Sequence, residues 1–157
     1  MERFLITGLP RIRSAWLTAL LTAVGADVTH ESLTGPPFFG GWCDPTAACV
    51  WPEEAAKWID SRPCVFINRN PLECRVSWEK WAGVELGNWQ EICTNVAQFS
   101  LLTSPVVIEY KDLEEYSTVA HIVKYCVGRY LPKYTWRVFN NLKIEQHLAK
   151  AQAYAQR

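Results

Sequence analysis

The sequence predicts a three-layer α/β/α fold around a central, mainly parallel sheet, and three observations carry that expectation. Apolar runs at residues 4–7, 64–67 and 106–110 have strand length and the composition of strands buried on both faces. Between them the hydrophobic spacing changes to that of helices. The chain has 157 residues, 49% hydrophobic and 20% charged, which suits one globular domain with a full core.

Each element follows from local chemistry. After the first run, Trp16, Leu17, Leu20, Leu21 and Val24 fall on one side of a helix that Gly25 can close in the left-handed conformation. Residues 27–30 read as a weaker strand and 48–51 as a possible one. Residues 32–47 carry Gly35, Pro36, Pro37, Gly40, Gly41 and Pro45 with Phe38, Phe39 and Trp42, and read as a long loop of the kind that often serves function. After the second run, Asn70 can cap a helix over 71–81, Pro71 fits its first turn and Glu73 complements its positive end. A further helix spans 88–102. After the third run, Asp112 and Leu113 lead into a helical stretch up to Gly128, with Val119, Ile122, Val123 and Cys126 on one face. Residues 144–157 read as a terminal helix. Strands alternating with helices imply right-handed parallel crossovers.

Composition narrows the function classes. The formal net charge is zero, so no overall field draws the protein to nucleic acid or to an anionic membrane, and any anion site must be local. No segment approaches the ~18 apolar residues of a membrane span, and residues 1–7 lack the pattern of an export signal. The six cysteines show neither a C-x-x-C pair nor zinc-finger spacing, and read as reduced, mostly buried thiols of a cytoplasmic protein without a bound metal.

Ligands of open α/β sheets bind beyond the carboxyl ends of the strands, where helix N-termini offer unpaired N–H groups. The first such turn is Gly8-Leu9-Pro10-Arg11-Ile12-Arg13-Ser14-Ala15-Trp16, and the second supplies Arg69, followed on its helix by Arg75 and Ser77. Four arginines thus cluster at one predicted sheet edge of a neutral protein, a pattern suited to phosphate. The first turn lacks G-x-x-x-x-G-K-[ST], which disfavours a kinase or ATPase with a Walker lysine.

The segment Gly8-Leu9-Pro10-Arg11-x-x-Ser14-Ala15-Trp16 resembles the phosphosulfate-binding loop of the sulfotransferases, Pro-[Lys/Arg]-Ser-Gly-[Thr/Ser]-x-[Trp/Leu]. Arg69 at a strand end with Ser77 eight residues later is similar to that family's 3′-phosphate motif. Val107-Ile108-Glu109-Tyr110-Lys111-Asp112-Leu113 is similar to its Tyr-Glu-Asp-Leu segment. The resemblance is to short sulfotransferase-like proteins of bacteria and phages, and implies a fold like that of P-loop nucleoside triphosphate hydrolases. It also implies transfer of a sulfuryl group from 3′-phosphoadenosine 5′-phosphosulfate to a hydroxyl or amine acceptor, with no metal. Pro10, Arg11, Ile12, Arg13, Ser14, Ala15 and Trp16 would then hold the 5′-phosphate side, with Arg11 also stabilising the leaving oxygen, and Arg69 and Ser77 the 3′-phosphate.

A general base must take the acceptor proton. His30 and Glu31, at the end of the weak second strand, are the candidates, with Glu31 preferred because a histidine beside arginines tends to be protonated; Asp44 is the alternative. Trp42 and the loop phenylalanines suit either ligand stacking or simple packing, while Trp16, Trp78 and Trp81 read as core and His121 and His147 as structural or exposed. The loop carries Ile12 and Arg13 where the family has Ser and Gly, which keeps a second expectation open: a non-catalytic nucleotide-binding or interaction protein on the same fold. The acceptor and the oligomeric state are not legible.

Overall fold

The computed structural model describes residues 2–30, 34–37 and 39–141. The strands are β1 (Phe4–Gly8), β2 (Val28–Thr29), β3 (Gly41–Cys43), β4 (Cys64–Asn68) and β5 (Val106–Glu109). They form one all-parallel sheet in the order β2-β3-β1-β4-β5, with Ile6 opposite Cys43 on one side and Val65 on the other. Seven α-helices accompany them among the described residues: α1 (Ser14–Ala23), α2 (Thr46–Cys49), α3 (Pro52–Ile59), α4 (Pro71–Ala82), α5 (Trp89–Thr103), α6 (Tyr116–Val127) and α7 (Lys133–Asn140). A 3₁₀ turn, Tyr110–Glu114, joins β5 to α6.

Alternation along β1 divides the core. Phe4 and Ile6 pack with Leu17, Leu20 and Leu21 of α1, Ile122 and Val123 of α6 and Phe139 of α7, whereas Leu5 packs with Ala47 of α2, Ile59 of α3 and Phe99 of α5. Helices therefore cover both faces of the sheet, as a parallel sheet requires. Trp16 is the largest anchor of the first face. It is fully buried, meets Trp136 edge to face at 5.8 Å and donates from Nε1 to the Phe139 carbonyl at 2.9 Å, so its one polar atom is satisfied.

Several expectations are corrected. The stretch 32–47 is not loop throughout, because β3 lies within it, between β1 and β2 and completely buried. Gly41 permits this: a Cβ there would fall inside the Phe4 ring. The possible strand at 48–51 is instead the short helix α2, begun where the Thr46 N–H donates to Asp44 Oδ1 at 2.9 Å. Helices α3 and α7 are additions, both with readable signals. Pro52 opens α3, Glu53 and Glu54 occupy its first turn, and Ala55 and Ile59 repeat on one face; Thr135, Trp136 and Phe139 form the buried stripe of α7. Strand β5 is an edge strand with Val106 and Val107 exposed, not a strand buried on both faces. The helix expected at 144–157 lies outside the described residues. Five of the six cysteines are buried free thiols, Cys93 being half-buried.

Candidate functional site

The crevice forms where the chain changes sides. The connection from β1 to β2 runs through α1 on one face, and that from β3 back across β1 to β4 runs through α2 and α3 on the other, so a cleft opens beyond the carboxyl end of β1. Its volume is about 440 Å³, within the range of small-molecule sites.

The loop from β1 to α1 is held tightly. A Cβ on Gly8 would lie 2.6 Å from the Ile67 carbonyl oxygen, so glycine is what lets β1 approach β4 this closely at its last paired residue. Ile12 is fully buried and ties the loop to the core. Arg11 and Arg13 both have positive φ, 71° and 65°, a conformation costing about 1–2 kcal/mol for a residue with a Cβ. Arg13, standing where the resembling loops carry glycine, adopts a glycine-like backbone as the N-cap of α1. Its guanidinium turns aside, 4.0 Å above the Trp16 ring and 3.3 Å from Glu114 Oε1. Burial lowers its pKa, and Glu114 and then Tyr110 oppose that shift. The terminus of α1 faces the cleft: its N-cap residue, Arg13, makes no side-chain cap bond and no acidic residue lies in its first turn.

The turn after β4 brings Arg69 against this loop. Its Nη1 donates to the Arg11 carbonyl at 2.6 Å and its guanidinium lies 4.2 Å over the Tyr110 ring. Its Nε is buried without a hydrogen-bond partner among the described residues, Glu73 Oε2 standing 3.7 Å away, close enough for attraction but too far for a bond. Arg11 in turn donates from Nε to Ser77 Oγ at 3.3 Å and stacks over Trp81 at 5.4 Å. The two candidate phosphate motifs are thus one connected group.

Pro10, Arg11, Arg13, Ser14, Ala15, Arg69 and Ser77 all line the cleft. Ile12 and Trp16 do not; their side chains belong to the core, and only their backbone remains for a ligand. Arg75 is withdrawn from the expected set of four arginines, because it faces along α4 to Glu79 at 3.0 Å. His30 reaches the cleft, its Nδ1 lying 2.7 Å from the Cys43 carbonyl. A carbonyl only accepts, so Nδ1 is the donor in this contact. Glu31 lies outside the described residues. Asp44 lines the cleft but is fully buried, accepting from Trp42 Nε1 at 3.2 Å and from the Thr46 N–H.

The aromatic expectations divide as well. Trp42 is fully buried against Trp58, so of its two readings packing holds. Trp78 and Trp81, expected in the core, both line the cleft, and Trp81 is 66% exposed. His121 is exposed and stacks on Tyr125, and His147 lies outside the described residues. Cys49 also borders the cleft, but burial pushes its thiol pKa up and Sγ donates to the Gly8 carbonyl at 3.4 Å, so it is no nucleophile at neutral pH. Tyr110, Trp78 and Leu86 are site residues that sequence patterns did not single out for the cleft; Tyr110 alone had a signal, its place at a strand end.

Compared with known proteins, the chain matches no family model and no curated protein.

Proposed function

We propose that the cleft binds a 3′,5′-bisphosphorylated nucleotide and that the protein is a sulfotransferase of P-loop-like fold, moving a sulfuryl group from 3′-phosphoadenosine 5′-phosphosulfate to an acceptor. The observation that carries this reading is the uncapped N-terminus of α1 opening onto the same cleft as Arg11, Arg69 and Ser77. The donor set fits phosphates: the Arg69 Nε is a buried donor without a hydrogen-bond acceptor among the described residues, and guanidinium groups bind phosphate in a bidentate manner. In this reading Ser14 and the first N–H groups of α1 hold the 5′-phosphate, and Arg69 with Ser77 holds the 3′-phosphate. Arg11, bonded to Ser77, lies between the two and stabilises charge on the leaving oxygen. When bound, the donor supplies a sulfuryl group whose sulfur bonds to the acceptor oxygen or nitrogen as its bond to the 5′-phosphate oxygen breaks. His30 takes the acceptor proton on Nε2, its ring oriented by the Cys43 carbonyl.

A second reading, nucleotide binding without transfer, draws on one observation: Arg13 directs its charge to Glu114 and Trp16. Calorimetric titration with adenosine 3′,5′-bisphosphate, against ATP with Mg²⁺, tests the shared premise. Metal-independent binding of the bisphosphate is expected; binding of ATP alone, or of neither, sinks both readings. Turnover of the sulfuryl donor then separates transfer from mere binding.

A further inference from the structure

The phosphate-binding residues occupy only part of the cleft. The rest is a wall contributed by the opposite helical layer: Val50 at the end of α2, Trp78 and Trp81 on α4, Leu86 in the turn that follows, and Ile92 on α5. Val50 and Trp81 are 55% and 66% exposed, although both side chains are apolar. Helix packing does not account for Trp81, since α4 buries only Cys74 along its whole length. A polar strip of His30, Asp44 and Thr46 also lines the cleft, and the wall meets the arginines directly where the Arg11 guanidinium lies 5.4 Å from the Trp81 ring. Thr46 Oγ1 is buried with no hydrogen-bond partner among the described residues, a donor and acceptor left over in a residue that lines the cleft.

We infer that this wall is the acceptor subsite and that its ligand is a flat, apolar, uncharged alcohol or amine. The inference rests on reading the cleft as a site of sulfuryl transfer. The ligand's hydrophobic body lies against Trp78, Trp81, Val50 and Leu86, and its single polar end meets the strip that holds His30 and Thr46. A sugar is a poor fit. It needs several side-chain hydrogen bonds around its ring, and none of the five wall residues accepts one; only the two indole N–H groups can donate. A cationic amine is disfavoured by the nearby arginines. Stacking on tryptophan faces and burial of apolar area supply affinity without such bonds.

The test is a titration of the whole protein with naphthalene methanol, with methyl glucoside as the polar comparison. Each is run with and without saturating adenosine 3′,5′-bisphosphate and followed by calorimetry and tryptophan fluorescence. Naphthalene methanol is expected to bind alongside the nucleotide and to weaken about tenfold in Trp81→Ala, in keeping with the loss of an aromatic contact. Val50→Asn, at a wall residue to which the nucleotide reading gives no part, should weaken naphthalene methanol and leave nucleotide affinity unchanged. Mutual exclusion of the two ligands would assign the wall to the nucleobase and overturn the inference. Binding of methyl glucoside in place of naphthalene methanol, or of neither, would also overturn it. Should the nucleotide fail to bind, the sulfuryl-transfer reading falls by itself; the apolar subsite then stands only on naphthalene methanol binding that Val50→Asn weakens.

Discussion

Two neighbouring strands, β1 and β4, end at the same edge of the sheet and each runs into a helix, yet the chain finishes the two helices in opposite ways. At α4 the Asn70 side chain accepts from the N–H groups of Leu72 and Glu73, Pro71 removes a donor that would otherwise lack a partner, and Glu73 meets the positive end. At α1 the N-cap is Arg13, its side chain makes no cap bond, and no acid sits in the first turn. Packing is reversed too: α1 buries seven of its ten residues, α4 one of its twelve. A helix end that its own chain saturates has nothing to offer an anion, whereas a rigidly packed helix with an open end does. Under the proposed function the 5′-phosphate is therefore assigned to α1, while α4 contributes side chains, Ser77, Trp78 and Trp81, to the cleft wall.

The largest effect is expected outside both turns and separates chemistry from the binding they supply. His30→Ala should lower turnover by about 10²–10⁴ while nucleotide affinity stays near wild type. Equal losses in binding would make His30 part of the nucleotide site instead. Next, Arg69→Ala should cost about 1.5–3 kcal/mol of bisphosphate affinity, as for a hydrogen bond to a charged group, and Arg69→Lys should recover only part of it because an ammonium cannot reproduce the fork. Titration of both variants checks this; full recovery in the lysine variant would reduce Arg69 to a point charge.

Two smaller effects probe the helix ends directly. Asn70→Ala should destabilise the fold by about 1 kcal/mol through loss of the cap, read as a shift of the urea midpoint, with bisphosphate affinity unchanged. A parallel loss of affinity would mean that the α4 terminus also touches the ligand. Arg13→Gly relieves a left-handed φ of 65° and gives up an ion pair whose carboxylate is exposed together with the guanidinium contact on the Trp16 ring. A net change in stability of less than about 1 kcal/mol is expected, because the relieved backbone is offset by the freedom of glycine and by the lost cation–π contact. Affinity near wild type would show that position 13 serves the ligand through its backbone; a tenfold loss would show that its charge is used.

The parts of the molecule legible in advance are those where cause and effect lie close along the chain. Strands β1 and β4 announce themselves as short apolar runs, α4 by Asn70 and Pro71, and α1 by its hydrophobic period and Gly25. The arginines at strand ends, and Ser77 on the helix after Arg69, could be singled out for the same reason. Strand β3 could not, because its three residues sit among glycines and prolines, and their pairing with β1 depends on Phe4 covering Gly41 from 37 positions away.

What the sequence by itself determined, then, is the alternation of strand and helix, the caps, and which residues stand at the strand ends. The tertiary structure alone decided which of those residues face one another. It turned Arg75 to Glu79 and Arg11 to Ser77, left Trp81 in the cleft where the sequence had pointed to the core, and gave Arg13 the backbone of a glycine. The reason is physical: periodicity and capping act over a few residues, whereas a side chain's direction is set by the nearest surface that can satisfy it. At this edge of the sheet those surfaces come from segments 66 and 101 positions apart in the chain.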